Sequence, residues 1–302
     1  VDVYLGLDIG GTGAKAGAFD RDGRLLGLGH ATYTPTVDAA GHIGLPIDAI
    51  YAAARAATRQ ALAGQPARVL AMAVASQGQT FVSLDAQDRP LHDAIPWYDS
   101  RAAVQAHRLK QAVADREPPV PGIEAIATAP KIMWLRDHHP DAMARARRHL
   151  LLPDYFVYRL TGQAVTDPNT AASTGLVAEG ELDYHAPTLQ AAGIAREQVA
   201  RILPSGTPVA TVTPAAAAEW GLAADTLLVT GTNDQYAGAL GAGNCRPGIL
   251  TETSGTCLAL VTLTERLPAP LPHGLFGGRF PIPRYQFALA YSKTAAQTGS
   301  GG

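Results

Sequence analysis

The sequence predicts a mixed α/β protein of two domains with similar halves, and three observations carry that prediction. The opening "VDVYLGLDIGGTGAKAGAFDRDGRLLGLGHATY" falls into three runs, two of them flanking an Asp-Gly pair, the strongest short-range hairpin signal. A helical repeat and then a continuous apolar run follow, which is not the strand–helix alternation of a plain dinucleotide fold. Far along the chain, "GILTETSGTCLALVTLTE" gives a second strand, polar turn and strand. With 302 residues the chain can bury two cores.

Taken in order, "VYLGLDI", "AKAGAFD" and "LLGLGHATY" read as antiparallel strands. "LPIDAIYAAARAATRQALAG" carries Ala, Ile and Leu at helical spacing and stops on Gly64, a common helix terminator. "ARVLAMAVASQ" is apolar throughout, as a strand inside a sheet must be. The middle reads as helical over "DSRAAVQAHRLKQAVAD", "APKIMWLRDHHP", "PDYFVYRLTG" and "PTLQAAGI", with "REPPVPG" as the clearest loop. In "DHHP", His138 and His139 complement a helix dipole. After "TPAAAAEWGL", the strand "TLLVTGT" runs into a small-faced helix, "NDQYAGALGAG". A second half mirroring the first needs a helix and further strands beyond the Gly/Ser tail that ends at Gly302. The expectation is therefore that these residues are part of a longer protein, or that another chain covers the open sheet.

Composition removes several function classes. The formal net charge is −2 and the hydrophobic fraction 47%, so no basic field attracts nucleic acid or anionic lipid. No apolar run is long enough to span a bilayer, and the first residues lack a signal-peptide layout. Cys245 and Cys257 show no metal or disulfide pattern, and the nine histidines show no ligand spacing. The expectation is a soluble cytoplasmic protein with a small-molecule partner, no nucleic acid and no membrane.

Two segments stand out chemically. In "DIGGTGAK", Gly10 and Gly11 let backbone N–H groups approach an anion, while Thr12 and Lys15 add a hydroxyl and a positive charge. The spacing is not that of a Walker loop, and a plain glycine-rich β-turn is the bland alternative. Asp8 beside this turn suits phosphate only with a divalent cation between them. "TSGT", Thr253 to Thr256, offers similar chemistry from the second half: Thr253, Ser254, Gly255 and Thr256. The other segment is "VTGTNDQYAGALGAG". Either Asn233 or Asp234 caps its helix, or the Asp234 carboxylate also serves chemistry.

Six segments in order, "LGLDIGGTGAKAGAFD", "SQGQTFVSLDAQDRPLHDAIPWYDSRA", "LLPDYFVYRLTG", "TDPNTAASTGL", "GTNDQYAGALGAG" and "TETSGT", resemble the FGGY family of carbohydrate kinases, with a xylulokinase-like flavour. The resemblance implies two ribonuclease H-like domains of the actin-like ATPase type flanking a cleft. Residues 1–230 would form the sugar-binding domain, and 231–302 the truncated start of the nucleotide-binding one. It implies ATP-dependent phosphorylation of a ketose such as a pentulose, or of a polyol, with Asp234 as general base. ATP phosphates would lie between "GGTG" and "TSGT", with Mg²⁺ held through water by Asp8. Gln77, Gln79, Trp97, Asp99, Arg101 and Gln235 match sugar-pocket positions. Xylulokinases carry Met-His where Gly78 and Gln79 stand, which leaves the sugar open. For Trp97, core packing remains the alternative; for Asp99 with Arg101, a structural ion pair; for Gln235, exposure to solvent. Lys131 and Trp134 match a family helix near the pocket, and core packing suits both. Homodimers are common in the family, which leaves the oligomeric state open between monomer and homodimer. The competing function is a non-catalytic sugar-binding or regulatory protein with the same fold.

Overall fold

The computed structural model describes residues 1–64, 67–254 and 258–292, with the backbone alone at Ser254 and Ser292. Two compact units divide the chain, Val1–Gly231 and a second that starts at Thr232.

The first unit opens with a meander: β1 (Asp2–Ile9), β2 (Gly13–Phe19) and β3 (Leu25–Thr32). The Asp-Gly turn closes it, with Gly23 at φ +80° and the Asp20 carboxylate accepting from the amides of Asp22 and Arg24. A short hairpin, β4 (Thr36–Val37) and β5 (Ile43–Gly44), leads into α1 (Ile47–Leu62). Asp48 in the first turn and Arg59 in the last complement the α1 dipole. After α1 come β6 (Arg68–Ser76), parallel to β1, and β7 (Phe81–Leu84).

A helical layer follows: α2 (Ala103–Ala112), α3 (Thr128–His138) and α4 (Pro140–Met143). Then come β8 (Arg148–Leu151), α5 (Leu152–Thr161), β9 (Val165–Thr166), α6 (Pro168–Ala172) and α7 (Ala186–Ala192). The unit closes with β10 (Arg201–Ile202), β11 (Pro208–Thr211), α8 (Pro214–Trp220) and β12 (Leu227–Val229). Local chemistry sets the ends: Asp167 and Thr213 cap α6 and α8, and Gly162 and Gly221 turn left-handed after α5 and α8.

The main sheet runs β11-β12-β6-β1-β2-β3, parallel from β12 through β1 and antiparallel at both flanks. One core lies beneath it, built from Val3, Leu5, Leu7, Ile9, Met72 and Val74 against α1, α5 and α8. Gly29 makes the α1 contact: a Cβ there would sit 1.9 Å from the Ala57 carbonyl oxygen. Across the helices, Trp220 Nε1 donates to the Tyr51 hydroxyl at 2.8 Å, which donates to Glu219 at 3.1 Å. A second core fills the space among α2, α3 and α7.

The observed elements depart from the predicted ones in three places. The β7–β8 pair joins Phe81 to Leu151 and has no local signal in either strand. The helix predicted from "DSRAAVQ" starts only at Ala103, because Asp99 ties down the backbone and side chain of Arg101. His138 at the end of α3 does more than face a dipole: it stacks on Trp134 with ring centroids 4.2 Å apart.

The second unit begins with α9 (Asp234–Gly241), followed by β13 (Leu250–Ser254), β14 (Leu258–Thr264), β15 (Leu275–Arg279) and β16 (Gln286–Ser292). Its sheet is antiparallel, in the order β13-β14-β16-β15. The core is small: Tyr236 and Ala239 of α9 meet Val261, Leu263, Phe280 and Phe287. Gly255, Thr256, Cys257 and the Gly/Ser tail lie outside the described residues. Among those described, no helix is long and apolar enough to cross a membrane, no His/Cys/Asp/Glu cluster could hold a metal ion, and Cys245 is a free, exposed thiol.

Candidate active site

In the first unit, the chemistry-bearing residues collect where β1, β6 and the loop after β7 end. Asp8 lies near the end of β1, opposite Lys15 of β2 in the antiparallel register. Its Oδ1 is buried with no hydrogen-bond partner among the described residues. Burial pushes its carboxyl above the usual range, against the opposing pull of Lys15. The Gly10–Gly13 turn is closed by the Gly10 amide donating to the Gly13 carbonyl at 2.9 Å. Thr12 and Lys15 are exposed beside it.

Three side chains brace that turn. The Tyr33 hydroxyl donates to the Gly10 carbonyl, and Gln77 Nε2 reaches the same oxygen at 3.4 Å. A Cβ on Gly11 would meet the Tyr98 ring at 3.6 Å, so the turn is also walled from the loop after β7. Burial, helped by Tyr98 and Asp8, raises the Tyr33 phenol and keeps it a donor. Tyr33 and Tyr98 are additions to the sequence-predicted set. Tyr33 was findable from register: Thr32 pairs with Gly13, so the next residue borders the turn. Tyr98 adjoins Trp97 in "PWYDSR".

Gln79 takes a left-handed backbone at φ +56°, unusual for a non-glycine residue. Both of its peptide groups are held: its amide donates to Ser173 Oγ at 3.2 Å, and Thr128 Oγ1 donates to its carbonyl at 3.0 Å. The Trp97 amide donates to Thr80 Oγ1 at 3.1 Å, and the Trp97 ring meets Tyr98 edge-on at 5.6 Å. Trp97 is half-buried, not sealed in the core.

Asp99 and Arg101 turn toward each other. Asp99 accepts from Arg101 Nε and Nη2, each at 2.8 Å, and from the Ile43 amide at 2.7 Å. Arg101 also donates to the Ile43 carbonyl at 2.8 Å and lies over the Trp134 ring. Burial would raise the Asp99 carboxyl, but bonds from Arg101 and Ile43 hold it below the usual range. Both Asp99 oxygens are thus engaged within the protein, and the pair fixes the Trp97 loop to β5.

In the second unit, Asn233 is the cap of α9: its side chain accepts from the Gln235 amide at 3.0 Å. Asp234 is the first helical residue, half-buried, and its Oδ1 also accepts from that amide at 2.8 Å. Gln235 Oε1 is buried with no hydrogen-bond partner among the described residues. Thr253, exposed, and the backbone of Ser254 end β13.

In sequence, the chain is similar to several kinases. The chain is 33% identical to a xylulose kinase of Streptomyces rubiginosus, covering 91% of this chain and 57% of that protein. It is 25% identical to a gluconokinase of Bacillus subtilis, covering 87% of this chain and 52% of that protein. The chain thus spans a little over half the length of these relatives. A crystal structure described as a xyloylose kinase from Brucella ovis superposes with a TM-score of 0.89 at 26% identity, over 98% of this chain and 62% of that one. A glycerol kinase of Plasmodium falciparum with ADP shares the fold, with a TM-score of 0.86 at 16% identity over 99% and 62% of the two chains. The sequence pattern of the FGGY N-terminal domain matches residues 3–241, and the chain belongs to the FGGY family of carbohydrate kinases.

Proposed function

We propose that the full-length protein transfers the γ-phosphoryl group of ATP to a hydroxyl of a small sugar, a ketose such as a pentulose or a polyol. The carrying observation is at the start of α9. Asn233 caps the helix, Asp234 stands at its first position with Oδ1 accepting from the Gln235 amide, and Gln235 buries an amide oxygen with no hydrogen-bond partner among the described residues. A buried acceptor without a donor costs about 1–3 kcal/mol, a cost that a substrate hydroxyl removes.

In this reading Asp234 accepts the proton of the attacking hydroxyl. Phosphoryl transfer is mostly positioning and charge stabilisation, so a carboxylate that accepts late is a sufficient base. Gln235 accepts from a second sugar hydroxyl, Gln79 reads another, and Trp97 offers its face to the C–H side of the sugar. The backbone of Gly10 and Gly11, with Thr12 and Lys15, receives triphosphate oxygens on the first unit. Thr253, Ser254, Gly255 and Thr256 do so on the second. Asp8 fits a hydrated cation, since its buried Oδ1 has no hydrogen-bond partner among the described residues. Mg²⁺, when bound, neutralises charge on the transferring phosphate. Asp99 and Arg101 serve by holding the Trp97 loop.

The test is a coupled ADP-release screen of the full-length protein against ketoses and polyols. ATP- and sugar-dependent turnover on at least one of them is expected. Sugar binding without nucleotide binding would make the protein a non-catalytic relative.

A further inference from the structure

Lys131 has no exposed surface at all, which is rare for lysine unless something recruits it. Its Nζ donates to the Pro96 carbonyl at 2.6 Å and to the Trp97 carbonyl at 3.3 Å. Thr128 lies three residues earlier on α3, on the same helix face, and is also buried. Its hydroxyl donates to the Gln79 carbonyl at 3.0 Å. One face of α3 therefore holds the carbonyls of both segments that carry the sugar-pocket candidates. The other side of each segment is pinned as well: the Trp97 amide by Thr80, and the Gln79 amide by Ser173.

A purely structural site has no use for an ammonium here. Desolvating it is costly, and a methionine of similar length would fill the same volume with apolar contacts. What methionine could not do is pull two carbonyls toward the helix. We infer that Lys131, with Thr128 beside it, is a positioning residue that clamps the Gln79 and Trp97 segments in their sugar-binding arrangement. The inference deepens the proposed kinase reading and rests on it for the identity of the ligand.

Burial pushes the Lys131 amine down to about 7, opposed by Asp99 and assisted by Arg101. Those two loop residues are the charged groups that act on it, and Asp99 is already shared between Arg101 and the Ile43 amide. The clamp consequently passes from ammonium to amine near neutrality. Charge-assisted bonds are roughly twice as strong as neutral ones, so the grip weakens as pH rises through that value.

The experiment uses the full-length protein and the variants Lys131→Met, Thr128→Val and Thr128→Ser. Two readouts are taken: KM for the best sugar and for ATP from pH 6 to 8.5, and amide hydrogen exchange over 97–101. Lys131→Met is expected to raise the sugar KM about tenfold or more, the loss of one charged hydrogen bond, while ATP KM changes little. The wild-type sugar KM should climb with pH above neutrality, and that of Lys131→Met should not. Amides 97–101 should exchange faster in Lys131→Met, with α1 unchanged. Thr128→Val should raise the sugar KM, and Thr128→Ser, which keeps the hydroxyl, should restore it. Unchanged exchange over 97–101 together with an unchanged sugar KM overturns the inference. If Lys131→Met does not fold, the Thr128 pair decides by the sugar KM and by amide exchange around Gln79, whose carbonyl Thr128 holds. If the wild type phosphorylates no sugar, the kinase reading falls, and the exchange measurement still decides the clamp.

Discussion

At the residue scale, Asp8 sets stability against chemistry. Its carboxyl is raised by burial, so the folded state favours the protonated form. The stability tied to Asp8 is therefore complete below the ordinary carboxylate pKa and is lost as pH rises through the folded value. Asp8→Asn should raise the melting temperature at pH 7, by a gain on the order of 1 kcal/mol, with the difference vanishing near pH 4. Under the proposed function the same change should lower Mg²⁺-dependent turnover, since the proposed cation would lose a carboxylate. A melting series with kinetics at varied Mg²⁺ checks both. Gln79 is the complementary case. Its positive φ costs little in glycine, so Gln79→Gly should keep or slightly raise stability, by about 0.5–1 kcal/mol at most. Under the proposed function it should raise the sugar KM, because the amide proposed to read a hydroxyl is gone; an unchanged KM would remove Gln79 from the proposed pocket.

At the scale of elements, the contact of α1 with β3 depends on glycine. The Ala57 carbonyl occupies the place where a Gly29 side chain would begin, so Gly29→Val has to push the helix off the sheet. A loss of about 1–3 kcal/mol or more is expected in urea unfolding. The glycines of "LLGLGHATY" were visible in the sequence, yet the strand pattern alone does not say which helix approaches them. Elements with local signals, such as the Asp-Gly hairpin, α1 and β6, were legible because turn chemistry and periodicity are written in adjacent residues. The β7–β8 pair was not, because α2, α3 and α4 separate Phe81 from Leu151 along the chain. The late start of the predicted second helix was hidden for a related reason: Asp99 and Arg101 lock to β5, a partner distant in sequence.

At the scale of the whole molecule, a buried histidine, His149, and a half-buried one, His92, make acid the weak side of the fold. His149 and His92 both contact Ser83 Oγ at 2.9 Å. Burial pushes the His149 imidazole down to about 3 and that of His92 to about 4. The unfolded chain therefore binds protons that the folded one refuses, and stability falls as pH drops from about 6.5 toward those values. The melting temperature should decline over that range, and His149→Gln should flatten the decline. The candidate site follows the same division of legibility. The glycine turn, Asp8 and Asp234 stood out in short motifs, whereas Tyr33, Thr128 and Ser173 act through bonds to residues far away in the chain. The central claim is that Asp234, at the first position of α9, takes the substrate proton, and Asp234→Asn in the full-length protein tests it most directly. The account predicts a fall in kcat of roughly 10²–10⁴ with the melting temperature retained. Near-normal turnover on the best sugar would contradict it.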